Sequence, residues 1–248
     1  NFSFETLALT DINNTTGVYD FILECQEVGI KPIIGVDFRY KNHQHFIGLA
    51  KNREGFKEMN ELLSAINRKE TTLSSIAPEW NDCFVIYPFD SAPEKLRTFE
   101  YIGVKFSQLN KFRISKWMKY QDKVVIHHTV SHKTSDHFGL HAVLRAIDNN
   151  ILLSDLKVED VGKRNDLLLA KEALLGQFSH FPEIFKTTKF IQKECNFTYD
   201  FTTLKNKKTY TYTRYNDKVL LTNLALEGMV RRYGKNNKAA KERVLHEI

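Results

Sequence analysis

An α/β fold is predicted for residues 1–165: a mostly parallel sheet with helices on its outside, open or closed, followed by a smaller and mainly helical segment at 166–248. Three observations predict it. Strand-like and helix-like stretches alternate from residue 6 to residue 148. The first two strands, Thr6–Asp11 and Ile33–Asp37, each end on a carboxylate, and strand ends are where α/β sheets and barrels build their sites. From Asp166 onward the strand pattern largely gives way to helical spacing. A chain of 248 residues is long enough for one large domain, or one domain and a smaller one.

The elements follow in order. Asn13-Asn14-Thr15-Thr16-Gly17 turns the chain after the first strand. Val18, Phe21, Ile22 and Cys25 lie at helical spacing in a helix over 18–28, stopped by Gly29-Ile30-Lys31-Pro32. Residues 33–37 and 45–51 are buried strands. Asn52 caps a helix over 53–68 whose inner face is Phe56, Met59, Leu62, Leu63 and Ile66. Strands are expected at 82–87, 101–106 and 123–127. Between them fall a short helix at 93–99 and one starting near Ser107 that carries Ile114, Trp117, Met118 and Gln121. His137–Asn149 is a helix with Leu140, Val143, Leu144 and Ile147 on one face. Residues 149–165 are polar and read as a connection.

In the second segment Pro182 opens a helix reaching about Cys195. Tyr and Thr alternate from Tyr210 to Tyr215, which suggests a short strand or extended arm. Asn216 or Asp217 caps a helix over 218–233 that Gly234 ends, and a last helix begins near Lys238.

Composition narrows the function. A hydrophobic content of 42% fills a core, yet no run approaches the ~18 consecutive apolar residues of a membrane helix. No signal peptide is visible, and Asn1 runs almost directly into a strand, as in an excerpt of a longer chain. Three widely spaced cysteines, Cys25, Cys83 and Cys195, suit reduced thiols in the cytoplasm. Residues 186–248 hold 14 Lys and Arg against 6 Asp and Glu, while the rest of the chain holds 22 against 24. The basic end suggests a polyanion, DNA being the natural one, with Arg231, Arg232, Lys235 and Lys238 as the contacts. A solvated basic face is the plainer alternative.

Five of nine histidines fall between His127 and His141, just after a strand end. His137 and His141 share a helix face, and Asp11, Asp37 and His45 can converge on them from other strand ends. Such a set suits zinc or manganese; the alternative is ordinary surface and core histidines. Other catalytic patterns are absent: no phosphate-binding Gly-rich loop with Lys-Ser/Thr, no Gly-x-Ser-x-Gly elbow, and no two of the 13 Asp residues stand two apart to hold a pair of metal ions.

The stretches ALTDINNTTGV, GIKPIIGVDF and HFIGLAKNREGFKEMNELLS together resemble the N-terminal polymerase-and-histidinol-phosphatase (PHP) domain of bacterial DNA polymerase III α subunits. FPEIFKTTKFIQKECNFTYDF and LALEGMVRRYGKNNKAAKERVLHEI resemble the passage from that domain into the palm. The resemblance implies a distorted (β/α) PHP-type barrel lacking its first strand, because the His-x-His motif of that strand is absent. It implies a parent that is a DNA-directed DNA polymerase using Mg²⁺ on template-primer DNA, with a proofreading exonuclease subunit and a sliding clamp as partners. It also implies a site for Zn²⁺ or Mn²⁺ wherever a PHP domain is active. Here Asp37 and His45 match ligand positions and His141 matches a histidine of the following helix. Ile12, Thr129 and Ser131 stand where the family places ligands. His128 or His132 can replace a lost ligand if the alignment slips. The fragment is therefore expected to be a non-catalytic scaffold and docking platform in replication, the alternative being an active metal-dependent phosphoesterase.

Overall fold

The computed structural model describes residues 4–203 and 206–248. Two compact units divide the chain, residues 1–198 and 199–248. The boundary expected at 165/166 does not coincide with this division. The reason is the helix led by Pro182, which supplies Ile184, Ile191 and Cys195 to the core of the first unit.

A single six-stranded sheet organises the first unit, in the order β1 (Thr6–Ile12), β2 (Lys31–Tyr40), β3 (His43–Ala50), β4 (Cys83–Pro88), β5 (Glu100–Val104) and β6 (Val124–Ile126). The sheet is curled into a half-barrel. Strands β1/β2, β4/β5 and β5/β6 pair parallel, while β2/β3 and β3/β4 pair antiparallel. The antiparallel β2/β3 pair follows from its short connection: the two strands are joined by a two-residue turn, with Lys41 at φ 53°.

Helices α1 (Val18–Glu27), α2 (Arg53–Asn67), α3 (Leu109–Arg113), α4 (His137–Asp148), α5 (Lys171–Gln177) and α6 (Pro182–Glu194) complete the unit. Alternation along the strands sends side chains to two faces. Val36, Phe38, Phe46, Ala50, Cys83, Val85 and Tyr87 pack against Met59 and Leu63 of α2. Ile33, Ile47, Leu49, Phe84, Tyr101 and Val125 pack against Ile191 and Cys195. Burying each such side chain contributes roughly 1.5–3 kcal/mol. Asn52 caps α2 as expected: its Oδ1 accepts from the Gly55 N–H at 3.1 Å, and its Nδ2 donates to Asp82 at 2.7 Å. Gly55 lets this helix press on the strand below, since a Cβ there would lie 1.9 Å from the Asp82 carbonyl oxygen.

Two expected helices differ. Residues 93–99 form turns and irregular chain after a 3₁₀ turn at Phe89–Ser91. Here the Arg97 side chain holds the segment by donating to Glu100 and to the Ala77 carbonyl, which replaces helical hydrogen bonding. The helix from Ser107 breaks into α3 and two 3₁₀ turns, Lys116–Lys119 and Gln121–Lys123, whose Trp117 and Met118 turn into the core.

The second unit contains α7 (Arg214–Tyr233) and α8 (Lys238–Glu247). No strand forms at 210–215. The α7 cap is Thr213, not Asn216 or Asp217, because the Asp217 carboxylate accepts from the backbone N–H groups of Tyr210 and Thr211 and folds that segment back as a loop. Gly234, at φ 82°, ends α7 as expected.

Candidate functional site

The site is a rim of the sheet built by β1, β2, β5 and the chain after β6. Asp37 sits late in β2, is 5% exposed, and pairs in register with Ile12 of β1. Parallel partners in register share a face, so Ile12 offers an apolar side chain beside the carboxylate. Arg39, two residues on, rises from the same strand. Its Nε and Nη2 donate to Asp37 Oδ2 at 2.9 and 2.6 Å. The other carboxylate oxygen, Oδ1, is buried and accepts no hydrogen bond among the described residues. Asn13 fixes Arg39 from the turn after β1. With φ at 52°, its side chain donates to the Arg39 carbonyl at 2.7 Å and accepts from the Arg39 N–H at 2.9 Å.

Lys105 comes off the end of β5 and is partly buried. Its Nζ donates to Thr129 Oγ1 at 3.2 Å, and that hydroxyl lies 3.5 Å from His127 Nε2. Gly103 makes room for this imidazole, since a Cβ there would stand 2.9 Å from that of His127. Burial, with Lys105 and Arg39 in electrostatic reach, pushes the His127 pKa down to about 3. Burial also lowers Lys105, where Lys163 and Arg39 oppose its charge and Asp166 and Asp37 favour it.

A second group adjoins this one. His132 is buried, with its Nε2 3.2 Å from the Arg164 carbonyl oxygen and its Nδ1 unpartnered. His141 on α4 accepts from the Gly162 N–H through Nε2 at 2.9 Å, and its ring lies 6.1 Å from that of His132. Burial, then His132 and Arg145, lowers the His141 pKa. His128 Nε2 lies 2.7 Å from the Leu167 carbonyl oxygen.

The remaining candidates lie apart. Asp11 pairs with Val36, not Asp37, so it lies on the face that α2 covers. There its Oδ2 lies 3.2 Å from the position a Cβ on Gly17 would take, and burial pushes its carboxyl pKa up. His45 is the extra residue where the β2/β3 register slips between Phe38 and Arg39, and its Nδ1 lies 2.9 Å from the Ser74 carbonyl oxygen. The convergence of Asp11, Asp37 and His45 on the histidines does not form. In the second unit Arg231, Arg232, Lys235 and Lys238 are all exposed.

A metal cluster does not fit these residues. Among the described residues no three His, Cys, Asp or Glu side chains are grouped to hold an ion. Metal-ligating histidines do donate one ring nitrogen to a carbonyl, as His45, His128 and His132 can here, but their other nitrogens do not meet at one point. Arg39 and Lys105 bring fixed positive charge to the rim instead. These two, with Asn13, escaped the sequence reading; the spacing of Arg39 two residues from Asp37 in a strand was the available signal.

Comparison with known proteins agrees with this architecture. Residues 1–85 match the PHP domain family. The chain is 21% identical to the error-prone DNA polymerase of Symbiobacterium thermophilum over 98% of its own length and 27% of that protein. It is 25% identical to the DNA polymerase III subunit alpha of Streptococcus pyogenes serotype M3 over 63% of its length and 15% of that subunit. The DNA polymerase III subunit alpha of Buchnera aphidicola is 22% identical over 79% and 20% of the two chains. The chain thus spans about a quarter or less of the curated relatives it matches. Residues 1–85 are thus similar to PHP domains, and the relatives that the chain matches are bacterial DNA polymerase III α subunits and error-prone DNA polymerases.

Proposed function

We propose that the chain is the N-terminal part of a bacterial replicative or error-prone DNA polymerase, in which the PHP domain works as a scaffold and docking platform. The observation that carries this is the Asp37 carboxylate: this buried acid of the rim is closed by Arg39 at 2.6 Å. A carboxylate whose Oδ2 takes two donors from one guanidinium already has a counter-ion, which weakens its pull on a cation. In this reading residues 166–248 lead into the palm of the parent, which works in the cytoplasm and transfers nucleotides with Mg²⁺ held by residues outside this chain. The proofreading exonuclease subunit and the sliding clamp are the partners the scaffold serves. Template-primer DNA passes near Arg231, Arg232, Lys235 and Lys238, whose charges suit phosphates without reading sequence.

A second reading, an active phosphoesterase, is favoured by one observation. Asp37 Oδ1 and His132 Nδ1 are buried and unpartnered, as ligand atoms awaiting an ion would be. Elemental analysis of protein purified without chelator, followed by hydrolysis of a generic phosphoester with added Mn²⁺ or Zn²⁺, separates the two. The expected result is no stoichiometric metal and no turnover above background. Bound metal with turnover that Asp37→Ala and His45→Ala both abolish would overturn the scaffold reading.

A further inference from the structure

We infer that the turn leading into α7 is a base-stacking platform for an unpaired nucleic-acid strand, with the rings of Tyr210, Tyr212 and Tyr215 set among lysine and arginine side chains. The three tyrosines fall within residues 210–215 and are 79%, 97% and 76% exposed. None makes a ring contact or a side-chain hydrogen bond among the described residues. Three large aromatic surfaces left in water on one short segment mark a place where something binds.

Hydrogen bonds hold the turn that displays them. The Asp217 carboxylate accepts from the Tyr210 N–H at 2.9 Å, and from the Thr211 N–H and hydroxyl at 2.6 and 2.7 Å. The Thr213 N–H donates to the Thr211 carbonyl at 2.9 Å, which closes a three-residue turn with Tyr212 at its tip. Thr213 then caps α7, its hydroxyl accepting from the Asn216 N–H at 3.2 Å. Tyr212 has φ 69°, a left-handed conformation that bulky side chains rarely adopt. Glycine would suit this tip better if only the turn mattered, so the strained position points to a use for the ring itself.

Charge selects the occupant. Residues 206–218 hold Lys207, Lys208, Arg214 and Lys218, all exposed and none in a salt bridge among the described residues, against a single acid. That acid is Asp217, whose carboxylate is engaged in the turn. Beside Tyr215 lies a hollow of about 240 Å³, lined also by Lys218, Val219, Thr222 and Asn223, so this ring borders a recess with a cation at its wall. Cations that neutralise phosphates, interleaved with rings that stack on bases, match an unpaired strand. A duplex keeps its base faces stacked inside, where the rings cannot reach them. An apolar protein surface would cover the rings but strand the four cations. The inference does not rest on the polymerase reading. Metal-dependent turnover at the rim would overturn the scaffold role and leave this platform standing, so the two fail separately.

The test is fluorescence anisotropy of the whole chain with a labelled single-stranded oligodeoxynucleotide, and with the same strand annealed to its complement. Tighter binding of the single strand is expected. Tyr212→Gly suits the φ of the tip, so it keeps the turn and removes only the ring. It should weaken single-strand binding about fivefold or more, the loss of one stacked base, and leave duplex binding unchanged. Tyr212→Phe keeps the ring and should retain the affinity. Tyr215→Ala is an independent second variant, read in the same way as Tyr212→Gly. Equal affinity for single strand and duplex, binding of neither, Tyr212→Phe as weak as Tyr212→Gly, or unchanged single-strand affinity in both Tyr212→Gly and Tyr215→Ala overturns the inference.

Discussion

Replacing Arg39 with Met isolates the contact on which the rim turns. Asp37 is 5% exposed and receives both of its side-chain hydrogen bonds from Arg39. Without the guanidinium a buried carboxylate stands uncompensated, a loss of ~3–5 kcal/mol. The expected cost of Arg39→Met is therefore about 3 kcal/mol. Asp37→Asn is not its mirror image. The Arg39 side chain is 26% exposed and can turn to water, so that change should cost only ~1 kcal/mol. The double variant should cost only about 1 kcal/mol, a coupling of roughly 3 kcal/mol. Urea unfolding at pH 7, followed by circular dichroism, measures all three. Arg39→Met within 0.5 kcal/mol of the parent, or Asp37→Asn as costly as Arg39→Met, would refute the argument that Arg39 serves as the internal counter-ion.

Three further outcomes are expected. The His127 pKa is held at about 3 in the folded chain but returns to its ordinary value on unfolding, so the unfolded chain binds more protons in between. Stability present above pH 6.5 is then lost as pH falls, by ~2 kcal/mol between pH 8 and pH 5; His127→Gln should flatten that part of the urea-midpoint profile, and an unchanged profile would contradict the burial of this ring. Gly55→Ala places a Cβ against the Asp82 carbonyl and should destabilise by ~1–3 kcal/mol or more, read as a lowered melting temperature with the Asn52→Ala variant as a milder companion. Binding to duplex DNA should be weak and sequence-independent and should fall steeply with salt; Arg231→Ala with Arg232→Ala should reduce the slope of log K against log salt by about 1–2, and a slope near zero in the parent would remove the DNA role from this end.

The sequence by itself determined the order of strands and helices, since apolar periodicity, the Asn52 cap, Pro182 and Gly234 act locally. It also carried the PHP resemblance of residues 1–85, because those motifs are contiguous. It pointed to the rim through the histidines after β6. Tertiary structure decided what the rim became. Whether Asp11 joins Asp37 depends on strand register, and a step of one residue moves a side chain to the other face; the pairing Asp11↔Val36 sends it away. Whether His45 joins depends on a bulge that aims it at Ser74. The end of the first compact unit likewise depends on α6 returning over 50 residues later to cover β6. Lys105 and Thr129, 24 residues apart, meet only because β5 and β6 are neighbours. Local propensity writes the elements into the chain, but charge pairing at the rim is set by register and burial, which exist only once distant strands are in place.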